Sequence, residues 1–288
     1  MSDANISIPV DLANPGQFFA CCGLLELADR LWPVTEGWFE GETFHMRTDG
    51  GSLETIVATL RECTVANTMT PEQITRLEAL SVMSRKQRAA EPGLEDEKKS
   101  LETLRRELPI VLKGGIPLLI DWFIDKLSGG SRFKTWAGQQ SVLDIARAMH
   151  GGLGDTAVSG LWGSARGIAL PFNFDSDLGT QGSALDIGFS FDALADSEAT
   201  RIEGSCKPAL EFLCFLGLQR FRPRQIPRQN RLVYSIWNTP LPPSVACSVV
   251  CGAVTIVSQG SFEFKLLYRT KYLKSFLPAI PFQGDRDE

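Results

Sequence analysis

Apolar and polar residues alternate over Ile6–Leu12 (ISIPVDL), the period of a half-buried strand. The period changes after Asn14-Pro15. Phe18, Cys21, Cys22, Leu25 and Leu31 recur near helical spacing, and the run ends before Pro33. Asn is a good helix cap because its side-chain oxygen accepts an orphan N–H, and proline is pre-organised at the first helical position. GWFE and TFHMRT then read as a hairpin hinged at Gly41-Glu42, which makes the order β-α-β-β.

Residues 52–108 carry helical patterning. Ser52 is placed to cap LETIVATLREC, and Thr70-Pro71-Glu72 opens PEQITRLEALSVMSRKQ. EKKSLETLRRELP is a charged amphipathic helix before Pro109. Between these, Ala89–Glu97 holds Pro92-Gly93 and dense charge, which predicts a mobile loop. IPLLIDWFI follows as a strand, Ser128–Ser131 as a turn, and FKTWAGQQSVLDIARAMHG as a helix stopped by glycine. Residues 151–184 are rich in Gly, Ser and Asp and predict irregular structure, and a loop that long is often functional.

The last hundred residues repeat the opening order. ALDIGFSFDAL (Ala184–Leu194) alternates as a strand, Pro208–Phe221 is helical, and RLVYSIWN, SVACSVVCGAVTIV and SFEFKLLYR read as strands. The predicted fold is α+β. Two β-α-β-β units, ferredoxin-like or RNA-recognition-like, flank a helical insertion. The expected boundaries are 1–50 for the first unit, 51–108 for the insertion with its mobile loop 89–97, 109–183 for a strand–helix segment and irregular loop, and 184–288 for the second unit. The two unit helices share a loose pattern, Phe19, Cys21 and Gly23-Leu24 beside Phe212, Cys214 and Gly217-Leu218, with the glycines offset by one residue. Duplication and chance likeness between apolar helices both account for it.

Composition narrows the class. The chain has 288 residues, of which 43% are hydrophobic and 22% charged, enough for a sizeable core. Seven cysteines, six of them in apolar runs, contain no CxxC pair, and only His45 and His150 are available as imidazole ligands. Zinc-type spacing is absent, and an odd count of core-type cysteines reads as reduced and cytosolic. The opening MSDANISIPVDLANP lacks the basic region and long apolar stretch of a secretory signal. Ile116–Ile124 is interrupted by Asp121, and Val245–Val257 is too short to span a bilayer. A soluble cytoplasmic protein with no cofactor, no metal and no membrane partner is expected.

Charge is sorted along the chain. Residues 1–84 hold 4 basic and 12 acidic side chains, whereas 201–275 hold 11 basic and 3 acidic, in a chain of formal net charge -5. RFRPRQIPRQNR puts Arg220, Arg222, Arg224, Arg228 and Arg231 into twelve residues. A basic stretch in an acidic protein points to an anionic partner, and arginine's planar fork suits phosphate. The other reading is pairing with acidic residues of the N-terminal half. Few acidic residues lie near the segment in sequence, which favours the first. Tyr234 and Trp237 follow on the next strand, and YRTKYLK adds Arg269, Lys271 and Lys274. Cations contact phosphates and aromatics stack on bases, although core packing is the ordinary role for Tyr234 and Trp237. Lys134, before a helix start in FKTWAGQQS, is a further candidate anion contact, although a flexible turn leading into a packed amphipathic helix is the more ordinary reading, and no Walker pattern occurs anywhere.

Catalytic chemistry is sparse. His45 is the one candidate general base, for RNA cleavage, although a strand histidine with no identified partner is ordinarily a surface or core residue. His150 ends a helix, a favourable place for its charge. Asp175, Asp177 and Asp186 lack calcium-loop spacing and read mainly as loop solvation. GLWGSARG contains no nucleophile elbow.

IPVDLANPGQFFACCGLLELADRLWP, FKTWAGQQSVLDIARAM and LEFLCFLGLQRFRPR together resemble the third small Csb-family protein of CRISPR–Cas systems of subtype I-U, also called I-G. The resemblance covers roughly residues 6–275. It implies a bacterial cytosolic protein of antiviral defence that belongs to, or serves, a crRNA-guided surveillance complex. It carries over no catalytic residue. The leading expectation is a non-catalytic subunit that binds crRNA or target DNA and meets other Cas subunits of subtype I-U. The alternatives are a metal-independent endoribonuclease processing CRISPR repeat RNA, with His45 as base, and a protein–protein adaptor whose basic segment grips an acidic partner.

Overall fold

A computed structural model describes residues 3–120, 124–125, 131–132, 142–153, 166–168, 172–177, 204–226, 231–269 and 272–283. The opening elements are β1 (Ile6–Pro9), α1 (Pro15–Leu31), β2 (Thr35–Glu40) and β3 (Thr43–Thr48). Asn14 accepts the N–H of Gln17, and Pro15 takes the first helical position, as their types require. Gly41 sits at φ 57° in the two-residue turn between β2 and β3. A II′ hairpin turn needs that left-handed conformation at its first central residue. The sheet order is β1-β3-β2 with both pairings antiparallel, so α1 is a crossover between strands that run the same way. Ile6, Ile8, Phe39, Phe44 and Met46 point inward.

The insertion contains α2 (Leu53–Glu62), β4 (Thr64–Asn67), α3 (Pro71–Val82), α4 (Arg85–Ala90) and α5 (Leu94–Glu107), and β5 (Ile110–Lys113) and β6 (Leu118–Ile120) open the segment after it. The insertion is not wholly helical, because β4 pairs with β5 in a sheet of order β4-β5-β6. The stretch expected to be a mobile loop, 89–97, is mostly helix. Ser84 and Gln87 cap α4 reciprocally, and only Glu91-Pro92-Gly93 separates α4 from α5. Gly93 at φ 89° makes that reversal, and the buried Arg88 secures it through the Leu80 carbonyl at 3.0 Å and Glu95 at 2.8 Å.

Two short strands, β7 (Ile124–Asp125) and β8 (Ser131–Arg132), pair with each other and precede α6 (Val142–Gly151). Next come β9 (Arg166–Ile168), β10 (Gly204–Cys206), α7 (Pro208–Arg220), β11 (Arg224–Gln225) and β12 (Arg231–Trp237). The chain closes with α8 (Pro243–Val250), β13 (Ser258–Arg269), β14 (Tyr272–Phe276) and β15 (Ile280–Pro281). The Ala184–Leu194 strand and the Phe133–Ser141 helix start lie outside the described residues. The expected strand SVACSVVCGAVTIV is corrected, since its first half is α8. Pro243 fits the first helical turn, and Ala246, Val249 and Val250 bury one face at helical spacing despite a β-branched composition. The large sheet has order β11-β12-β13-β14, with β15 beside β13. β10, the strand before α7, pairs with β9 rather than with the β12–β13 pair. The fold is therefore mixed α+β with several small antiparallel sheets.

One core unites these pieces. α1 and α7 lie at its centre, buried on every side over Pro15–Ala28 and Pro208–Gln219. They run side by side in the same direction. Their N-terminal ends meet through Asp175, which contacts Asn14 and Lys207, and their C-terminal ends meet where Arg220 contacts Glu26. A Cβ on Gly23 would overlap the Leu213 carbonyl, and one on Gly217 would overlap the Phe19 carbonyl, so glycine permits backbone contact here. Phe18 stacks on Tyr234 (4.3 Å) and Phe39 (5.2 Å), joining the two sheets through aromatic rings. Tyr234 and Trp237 are fully buried, which settles core packing as their role. Their polar atoms donate to the Leu12 carbonyl at 2.5 Å and the Gly37 carbonyl at 2.6 Å. No helix among the described residues is long and apolar enough to cross a membrane.

Candidate nucleic-acid interface

The arginine segment begins inside α7 and leaves it as an extended edge. Phe221, Pro223 and Ile226 are buried, whereas Arg222, Arg224 and Gln225 are exposed, so the edge is anchored by alternate apolar side chains. Arg220 is different. Its Nη1 lies 2.7 Å from Glu26 Oε2 and 3.1 Å from Asp29 Oδ2, and Arg30 holds the other Glu26 oxygen at 2.6 Å. The Glu26 side chain is 2% exposed. Arg220 is thus committed to the acidic N-terminal half, as the second reading of the segment anticipates for this residue. Its neighbour Arg222 turns outward, with Nε donating to the Gln219 carbonyl at 3.1 Å.

The register of the large sheet brings Arg224, Arg231 and Lys265 to one face. Arg231 on β12 stands opposite Lys265 on β13, and Arg224 on β11 stands opposite Val233 on β12. Side chains alternate between faces along a strand, so Arg224, Arg231, Val233, Ser235, Ser261, Glu263 and Lys265 share the face turned away from Tyr234 and Phe264. Arg231 Nη1 contacts both Glu263 oxygens, at 2.9 and 2.7 Å. Ser235 and Ser261 are joined by a 2.8 Å hydroxyl hydrogen bond. Lys265 is exposed. The Arg224 guanidinium lies 5.6 Å from the Phe282 ring centroid, and the Phe282 N–H donates to the Ser261 carbonyl at 2.8 Å. Lys265 and Phe282 are not marked by any sequence cluster. Strand register alone brings them beside the arginines.

Arg228, Lys134 and Lys271 lie outside the described residues. Arg269 ends β13 opposite Tyr272, and Lys274 is the extra residue of a bulge, because consecutive Leu267 and Tyr268 pair with Ser275 and Leu273.

His45 occupies the middle strand of the small sheet. Ser7 Oγ and His45 Nδ1 are 2.9 Å apart, Glu40 Oε2 is 4.0 Å from Nε2, and the imidazole stacks on Trp38 at 5.5 Å. His150 Nε2 sits 2.8 Å from the Leu60 carbonyl and its ring packs on Phe212, a structural placement at the end of α6.

Asp175 is not a solvated loop residue, and Asp177 is half-buried. Asp175 is 1% exposed. Its Oδ1 accepts from Asn14 at 2.7 Å, and its Oδ2 is 3.2 Å from Lys207 Nζ, an ion pair lacking hydrogen-bond geometry. Asp177 accepts from Gln17 at 3.4 Å, and burial, reinforced by the Asp175 charge, raises its pKa. Beside them Glu211 accepts the Phe174 N–H on both oxygens at 3.0 Å and the Asp175 N–H at 3.1 Å. Burial outweighs these bonds and pushes its carboxyl up to about 8. No group of three or more His, Cys, Asp or Glu among the described residues is arranged to hold a metal. Asp186 lies outside them. Burial also raises the Cys21, Cys22, Cys206 and Cys214 thiols, which makes them poor nucleophiles.

No protein-family model matches the chain, and no curated protein matches it.

Proposed function

We propose that this chain is a non-catalytic subunit of a type I CRISPR–Cas surveillance complex that binds crRNA or target nucleic acid. The observation that carries the binding part is the strand register that brings Arg224, Arg231 and Lys265 to one face at the β11–β12–β13 corner of a chain with net charge -5. Phosphate contacts from such a corner bind a backbone without reading its sequence. The complex and the subtype I-U partners belong to the same reading and rest on the resemblance, and the ferredoxin-like character of the two units rests on the β-α-β-β order of the sequence. In this reading, the acidic N-terminal region docks a basic subunit and the cationic corner faces nucleic acid. Arg228, Arg269, Lys271, Lys274 and Lys134 extend the cationic set on charge grounds.

The test is affinity purification of the tagged protein from cells carrying its locus and a CRISPR array, with sequencing of bound RNA. Unit-length crRNA recovered together with other Cas proteins is the expected result. Combined reversal of Arg222, Arg224 and Lys265 to Glu should abolish RNA recovery while the protein stays folded. An RNA-free monomer from the same cells overturns the reading.

A further inference from the structure

Arg224 and Phe282 belong to opposite sides of the large sheet. Arg224 is on β11, and Phe282 immediately follows β15, with β12 and β13 between them. Adjacent strands lie about 4.8 Å apart, so a guanidinium within 5.6 Å of the Phe282 ring must reach over the two middle strands. Val233 and Ser235 beneath it are 3% and 5% exposed. The Phe282 ring is half-buried and its backbone is tied to Ser261, so the ring is held at the rim of the cationic face. Arg231, Glu263 and Lys265 continue that face along β12 and β13.

We propose that Phe282 is a base-stacking platform and that this face takes a single-stranded nucleic acid. The inference rests on the nucleic-acid-binding reading above and adds the ligand's class and a residue that contacts it. A flat sheet face offers no projecting helix to enter a duplex groove, and a duplex keeps its base faces covered. An exposed cation–π contact is weaker than a base stacked on an aromatic ring. Arg224 therefore exchanges the ring for a phosphate when a strand arrives, and the ring face it leaves receives a base. Lys265 holds a neighbouring phosphate. Stacking accepts any base, so the site is tolerant of sequence.

Fluorescence anisotropy with oligo(U), oligo(dT) and a duplex of matched length, each over a salt series, tests this. At least one single strand should bind about tenfold tighter than the duplex. Preference between oligo(U) and oligo(dT) assigns the strand to RNA or DNA, and either supports the inference. Phe282→Leu should weaken single-strand binding about tenfold with the salt slope unchanged, while Phe282→Tyr retains it. Arg224→Gln should lower the salt slope by about one phosphate contact. Equal binding of duplex and single strand overturns the inference and leaves the binding reading standing. So does a Phe282→Leu protein that binds like wild type while Arg224→Gln weakens binding. Failure of the wild-type protein to bind any probe overturns the reading itself.

Discussion

Gly23 and Gly217 face each other where α1 crosses α7, each occupying space in which the other helix leaves no room for a Cβ. The atoms a Cβ would meet are carbonyls and amides, which cannot rotate aside as side chains do. The contact also fixes how the two helices correspond. With Gly23 aligned to Gly217, Phe18 corresponds to Phe212 and Glu26 to Arg220, so the offset between the glycines disappears while the cysteine match is lost.

Replacing either glycine by alanine should destabilise the protein. Helix propensity favours alanine by about 1 kcal/mol, but overpacking against rigid backbone costs about 1–3 kcal/mol or more, and the second effect wins. Thermal denaturation of Gly23→Ala and Gly217→Ala should show a midpoint lower by several degrees. Gly260→Ala, where an added Cβ meets nothing within 4 Å, should leave it nearly unchanged.

Arg220 and Arg224 belong to the same segment and should behave oppositely. Removing Arg220 leaves the Glu26 carboxylate, 2% exposed, with Arg30 alone. Breaking a buried pair costs about 3–5 kcal/mol, and the surviving Arg30 reduces that to about 2 kcal/mol. Urea denaturation of Arg220→Ala should report that loss, with partial recovery in the Glu26→Gln/Arg220→Ala double variant. Arg224→Ala, at an exposed position of β11, should change stability by less than about 0.5 kcal/mol. An Arg224→Ala protein destabilised by the same magnitude would refute this division of the segment.

Much of the local architecture was legible because capping chemistry is local. Asn14-Pro15, Ser52 and Thr70-Pro71 each announced a helix start, and Gly41 announced the hairpin. α8 was misread because Val245, Val249 and Val250 favour strands, while the helical spacing of its buried positions matters only once a neighbouring surface exists to cover them. β4 is four residues long, too short to interrupt the helical pattern around it. The site divides in the same way. The arginine cluster is visible as composition, but its partition is not, since Glu26 lies 194 positions from Arg220 and only the α1–α7 contact brings them together. Lys265 is four residues from the next cation of its strand, Arg269, and Phe282 is one of 17 phenylalanines, so neither has a signal apart from register.

Glu211 should make stability fall as pH rises. Its carboxyl is raised to about 8 in the folded protein from an ordinary value of 4.5. Below 4.5 both states are protonated, and its contribution is complete. Between 4.5 and about 8 the unfolded chain has lost the proton that the folded chain still binds, so stability declines by up to about 1.4 kcal/mol per pH unit. Above about 8 both are ionised and the decline ends. Denaturation midpoints measured across that range should fall for the wild type and flatten for Glu211→Gln, which keeps a carbonyl acceptor for the Phe174 or Asp175 N–H. Parallel curves for the two proteins would place the pH dependence elsewhere.

His45 separates a binding subunit from a ribonuclease. Ser7 Oγ contacts its Nδ1 and Trp38 supports its ring, so the imidazole is held in one orientation on the outer face of the small sheet. Orientation is one requirement of a general base, but cleavage of RNA also needs a cation or proton donor for the phosphate that gains charge. The nearest residue of that type along the same strand face, Arg47, is ion-paired with Glu36. The expected outcome is that wild-type protein leaves CRISPR repeat RNA intact, and that His45→Ala binds and spares it equally. Gel analysis of labelled repeat RNA after incubation with chelator decides the point, because metal-dependent contaminants are then silent. Cleavage by wild type that is lost in His45→Ala would assign the base and move the conclusion to an endoribonuclease. In that case Arg47→Ala should also slow the reaction, since stabilising the charge that gathers on the phosphate is the step a base at His45 cannot perform.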